Sequence, residues 1–235
     1  MIRKTYLLFG FSLLIVTASF SQKGVHSDEL KKILTGIEEF DRKEYSNDSF
    51  PLGRNTEDDF QRRYLFSKTI QSELQKIDSS KLNFDDWISW QLLLFITDDD
   101  VQEYELKRYL NPLLSDQGFH ISFPGRASGN FLNKNALVSY LKVLNDFPRY
   151  VYEHLGLMRR GLKEGVSQPA LIIQGFAATY NQHIVDDITQ SFFYRPFRNK
   201  PSQVNDKDWD SIKTAGKIAV EKNIIPQYKR IKKFF

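Results

Sequence analysis

Residues 136–165 read ALVSYLKVLNDFPRYVYEHLGLMRRGLKEG, and the spacing within them decides the fold class. Leu137, Tyr140, Leu141 and Leu144 recur every three to four residues, which is the period of one helix face. Pro148 interrupts the run. It has no N–H to continue a helix, but its fixed φ suits a first turn, so a second helix is expected to open there. That helix carries Val151, Leu155, Met158 and Leu162 on one face, and Gly165 ends it.

The same period extends in both directions. Upstream, Ser27 precedes Leu30, Ile33, Leu34, Ile37 and Phe40, a capped helix with one apolar stripe. Phe50-Pro51-Leu52-Gly53 breaks it. Thr56 with Asp59 then forms a capping-box pattern ahead of Phe60, Tyr64, Ile70, Leu74 and Ile77. Asn83 with Asp86 repeats the start signal. The segment that follows holds Trp87, Ile88, Trp90 and the run 92–96, apolar on nearly all sides, so it is expected to be a central helix. Downstream, Ser167 and Pro169 announce a helix over about 170–191, weakened at Gly175. A last helix starts near Trp209 and is expected to bend at Pro226.

No segment alternates with the period of a strand, apart from a weak hint at His120-Ile121-Ser122-Phe123. The expectation is therefore all-α, about seven helices packed as an irregular bundle. Residues 111–134 form its longest irregular loop, and residues 192–208 a second one rich in aromatics.

Composition excludes several functions. The chain has 235 residues, 41% of them hydrophobic, enough for a sizeable core. Its formal net charge of +4 includes Arg3 and Lys4. Those two belong to an expected export leader, so the remainder is close to neutral and offers no electrostatic case for nucleic acid. There is no cysteine, which removes disulfides, thiolate metal sites and a cysteine nucleophile. The leader is expected to comprise residues 1–21, with a charged start, an apolar run over residues 6–16, and small Ser19 and Ser21 before Gln22; an uncleaved N-terminal membrane anchor is the alternative. Residues 22–235 are then an exported helical region, periplasmic or secreted, with no membrane span after leader removal.

Catalytic motifs are missing. None of His26, His120, His154 and His183 has a second histidine four residues on, and Glu153-His154 is followed by Met158 where a ligand is needed. Gly125-Arg126-Ala127-Ser128-Gly129-Asn130 lacks the lysine of a phosphate loop. Asp98, Asp99, Asp100 and Glu103 splay around a helix rather than converge on a cation, and read as a solvated face. Asp186-Asp187 also reads as surface. His183, with Tyr180 and Asp186 at helical spacing, reads as a hydrogen-bonded structural histidine rather than an acid–base group. Arg159-Arg160-Gly161-Leu162-Lys163-Glu164-Gly165 has the chemistry of a helix C-terminus, with an anion clamp as the functional alternative. Phe192-Phe193-Tyr194-Arg195-Pro196-Phe197 is expected to plug into the core or to line a groove.

The stretches Met158 to Pro169 and Ser191 to Phe197 resemble the bacterial family called domain of unknown function 885. Phe50-Pro51, Leu74-Gln75-Lys76-Ile77-Asp78, Tyr140-Leu141-Lys142-Val143-Leu144 with Phe147-Pro148, and Ile225-Pro226-Gln227-Tyr228 agree in order. That family is similar to zincin-type metallopeptidases, whose zinc motif lies downstream of the matched region. The resemblance implies the N-terminal part of such a protein, truncated before its metal site. Zinc is expected only in the missing half, and no catalytic or metal-binding residue in this chain. The implied role is a helical wall of a substrate cleft that takes peptides, with Arg160, Gln168 and Tyr194 as the residues expected to face the groove. The alternative is a non-catalytic helical binding module of the cell envelope.

Overall fold

The computed structural model describes residues 27–45, 47–114 and 116–235, so the expected leader lies outside the described residues. Among them the regular structure is helical and no strand forms; an isolated antiparallel bridge joins Leu113 to Gly118. The helices are α1 (Asp28–Glu44), α2 (Glu57–Leu74), α3 (Phe84–Glu105), α4 (Phe119–Ser122), α5 (Lys134–Glu164), α6 (Ala170–Ile173), α7 (Ala177–Asn181), α8 (Asp206–Ala219) and α9 (Ile225–Phe234).

The expected starts are where the side chains put them. Ser27 accepts from the Leu30 N–H, Thr56 and Asp59 complete a reciprocal capping box, and Asn83 accepts from the Asp86 N–H. Each satisfies a backbone donor that the first helical turn leaves without a partner. Lys107 takes the left-handed conformation at φ 55° and ends α3. Gly165 does the same for α5 at φ 77°.

Two cores result. The smaller is a layer of α1, α2 and α3 around Leu30, Ile33, Ile70 and Leu74. Buried Glu44 at the end of α1 pairs with Arg62 and Arg63 of α2, which locks these two helices together. The larger core is built on α5, against which α8 and α9 pack with the short elements between. A further small cluster, Tyr109, Leu110 and Leu157 with Phe60 and Tyr104, draws on α2, α3 and α5. Gly161 allows the junction: a Cβ there would stand 2.7 Å from the Val166 carbonyl oxygen and 2.8 Å from that of Leu110.

Several expectations are corrected. The two helices expected around Pro148 are one, α5, with the proline inside it. An internal proline costs about 3 kcal/mol. Leu144, Phe147, Val151 and Leu155, all at 0% exposure around it, each gain roughly 1.5–3 kcal/mol from burial, so packing wins. The loop at 111–134 is not wholly irregular: it contains α4 and a 3-10 turn over Phe123–Ser128, and sends Phe119, Phe123 and Ala127 into the large core. The strand hint at 120–123 is therefore helical. The helix expected over 170–191 is broken into α6, a 3-10 turn and α7. Phe192–Phe197 is a 3-10 turn with Phe193, Tyr194 and Phe197 buried. Near Pro226 the chain forms a π-helical turn over Val220–Ile224, and the proline then sits in the first turn of α9.

The largest correction concerns α3. It is an outer helix, not a central one. Phe84, Trp87, Ile88, Leu92, Phe95 and Ile96 are all exposed, Phe95 at 74%. Trp90, Leu93 and Leu94 pack on the small core instead. No helix among the described residues is long and apolar enough to cross a membrane.

Candidate functional site

A groove of about 630 Å³ opens where the end of α3, the 108–122 segment and α5 meet. Its walls include Leu113, Phe119, Tyr150 and Val166, and its polar groups include Arg108, Gln117, His154 and Gln168. A slightly larger hollow of about 680 Å³ lies between α1 and α2. Its polar lining consists of exposed or half-buried residues such as Glu29, Lys32, Glu73 and Lys76. Chemistry needs a polar group held in an environment that alters it, so the groove beside His154 is the candidate.

The helical period of α5 builds its floor. Tyr150 and His154 are four residues apart and so share a face. Their rings meet edge-on at 4.4 Å, and Phe119 stacks on the His154 imidazole at 4.7 Å. His154 is 6% exposed, and neither ring nitrogen has a hydrogen-bond partner within the protein. Burial, with help from the nearby Arg149 and Arg63 charges, pushes its pKa down to about 3. At neutral pH the ring is uncharged. It therefore carries one N–H donor and one acceptor nitrogen, both buried inside an aromatic frame.

The opposite wall carries Leu113, Leu114, Gln117 and Gly118. Leu114 N–H donates to Gln117 O at 2.9 Å, and Gln168 Nε2 donates to Leu113 O at 2.6 Å. Gln168 thus ties the segment after α5 to the groove wall. The turn at Gly165 that delivers it is held by the Val166 N–H donating to Gly161 O at 2.8 Å.

Of the residues the sequence nominated, Gln168 lines this groove; Arg160 and Tyr194 do not. Arg160 Nε donates to Glu164 at 2.5 Å, and the guanidinium also pairs with Glu57 of α2. Two carboxylates neutralise it as a helix-to-helix tie, leaving no clamp for an anion. Tyr194 is 4% exposed and packs beside Phe197 in the large core, because that turn buries its rings rather than displaying them. His154, Tyr150 and Phe119 were missed. The signal was available: Val151, Leu155 and Met158 already marked the buried side of the helix on which His154 lies.

The other buried histidines form a separate cluster. Thr179 Oγ1 donates to Phe176 O at 2.6 Å, which leaves the Thr179 hydroxyl oxygen to accept from His120 Nε2 at 2.9 Å. His120 Nδ1 and both nitrogens of His183 have no protein partner. His183 is thus a buried histidine without the hydrogen bonds expected of it, enclosed by Phe193 and Tyr228. Burial pushes both pKa values down to about 4, that of His120 also feeling His183. Zinc needs three or four converging ligands. No group of three histidine or carboxylate side chains among the described residues is arranged to hold a metal, so these residues do not fit a zinc centre.

No curated protein and no solved structure matches this chain. Residues 44–235 match the family described as "Bacterial protein of unknown function (DUF885)", and the chain belongs to that family.

Proposed function

We propose that this chain is the helical wall of a substrate cleft in an exported zincin-like hydrolase, a metallopeptidase acting on peptides. The metallopeptidase character comes from the family resemblance, and in this reading zinc is held by residues outside this chain. The observation that supports a binding role is His154: a neutral imidazole in the lining of an aromatic groove, whose two unpartnered nitrogens lie buried just beneath its floor. A peptide backbone offers both a donor and an acceptor in each unit, which complements such a ring once a bound chain displaces Phe119 or Tyr150 from it. Gln168 and Gln117 supply further polar contacts along the wall.

The test is binding of labelled unstructured peptides to the full chain, read by fluorescence polarisation. His154→Phe keeps the ring and removes both nitrogens, and is expected to weaken binding about tenfold, the loss typical of one buried polar contact. Gln168→Ala is expected to weaken it as well. Unchanged affinity in both variants, or no peptide bound at all, refutes the reading. A second reading, a non-catalytic helical binding module of the cell envelope, is favoured by the exposed apolar face of α3. In that case peptide binding is absent while a protein partner engages α3.

A further inference from the structure

The outer face of α3 is apolar in its middle and acidic at its ends. At about 100° per residue, Phe84, Ile88, Leu92 and Phe95 fall on one stripe, with Trp87 and Ile96 at its margins. Phe84 is 64% exposed, Leu92 55% and Ile96 51%. None of the six lines the His154 groove. The spacing places four anchors over three turns, the pattern with which helices dock on one another. An exposed apolar run of this length on a folded domain marks an interaction surface.

Charge says what covers it. From Phe84 to Glu105 the helix carries Asp85, Asp86, Asp98, Asp99, Asp100, Glu103 and Glu105, and neither lysine nor arginine. Asp98 and Asp99 continue the stripe beyond Phe95, and Asp85 flanks its start. Arg108 pairs with Asp99 at 3.2 Å across a well-exposed contact, and Asp98 accepts from Gln102. Asp100 is turned to Ser67 on the inner side. A second copy of α3 laid antiparallel brings Asp98 and Asp99 against Asp85 and Asp86; laid parallel, it sets like on like. Both arrangements are repulsive. An anionic lipid surface is repelled too, since helices that lie on membranes carry lysine and arginine beside their apolar face.

We infer that α3 is a docking face for a cationic amphipathic helix of a partner protein, whose apolar side seats on Phe84, Ile88, Leu92 and Phe95 and whose basic ends meet Asp85 and Asp98–Asp99. The inference is independent of the peptide groove.

The probe is a pair of synthetic helical peptides with one leucine- and phenylalanine-bearing face. One carries lysine and arginine at both ends, the other glutamate. Titrated against the full chain, the cationic peptide is expected to bind at least about tenfold tighter than its acidic twin and to weaken as salt screens the contact. Phe95→Ser, at an exposed site that folding does not need, is expected to cost about thirtyfold as a central anchor. Asp98→Asn with Asp99→Asn is expected to cost roughly two- to tenfold. Equal affinity for the two peptides, no binding of either, a dimer that Phe95→Ser dissolves, or capture by anionic vesicles would each overturn it.

Discussion

Replacing His154 with phenylalanine should stabilise the protein while harming the groove. The imidazole is packed as an aromatic ring, between Phe119 at 4.7 Å and Tyr150 at 4.4 Å, and its two nitrogens bond to nothing in the protein. Each buried polar group without a partner costs about 1–3 kcal/mol. Phenylalanine removes both, and its larger ring adds an overpacking cost of about 1 kcal/mol. The two nitrogens share one ring, so the lower end of that cost applies, and the net gain expected near pH 7.5 is roughly 1–2 kcal/mol. Acid enlarges it. The native imidazole is held at about 3 by burial, against 6.5 for an ordinary histidine. As pH falls below 6.5 the unfolded chain takes a proton at this position that the native fold refuses, and stability is lost until pH nears 3. At pH 5 that loss is about 2 kcal/mol for one histidine, and phenylalanine is spared it. Urea unfolding followed by circular dichroism reads both terms. With a slope of about 2–3 kcal/mol per molar, the midpoint should rise by about 0.5 M at pH 7.5 and by more than 1 M at pH 5. A lower midpoint at pH 7.5, or the same advantage at both pH values, refutes the reasoning that His154 is a dry, neutral and unpartnered ring.

Three further outcomes probe the scaffold. Arg149 donates to Asp146, Glu153 and the Gly53 carbonyl, while those two acids receive the Leu52 and Asn55 N–H groups. Arg149→Met should therefore cost about 3 kcal/mol by stranding two largely buried carboxylates, read as a lower urea midpoint together with faster proteolysis near residues 50–55. Thr56→Ala removes half of the capping box and should cost about 1 kcal/mol by the same unfolding assay. Gly161→Ala gains about 1 kcal/mol of helix propensity but drives a methyl into two backbone carbonyls, a penalty of about 1–3 kcal/mol; a net loss of thermal stability is expected, and a gain shows that the junction yields.

Local chemistry was legible in the sequence wherever one residue settles one bond. Ser27, Thr56 with Asp59, and Asn83 fix helix starts because a short polar side chain reaches a backbone N–H two or three residues on, whatever the rest of the fold does. Gly165 fixes a helix end for an equally local reason. Pro148 is the counterexample. Its local preference is to begin a helix, yet four fully buried side chains around it outweigh the lost hydrogen bond, and nothing local to Pro148 reports that burial.

The candidate site and the α3 face were hidden for opposite reasons, and both turn on what periodicity measures. Apolar spacing reports which residues avoid water, not which partner relieves them. His154 sits on a stripe already assigned to the core, where spacing does not separate a packed ring from one beside a groove; only Leu113 and Gln117, brought in through more than thirty residues of intervening chain, make a groove beside it. In α3 the apolar residues surround the helix, and the simplest inference was full burial inside this chain. The smaller core covers Trp90, Leu93 and Leu94 but leaves Phe84, Leu92 and Phe95 in solvent. A helix apolar all round has two faces to cover, and this fold covers one. The acids that close off the other face at both ends argue that its apolar surface is matched to a basic partner rather than to a second copy of itself or an anionic membrane.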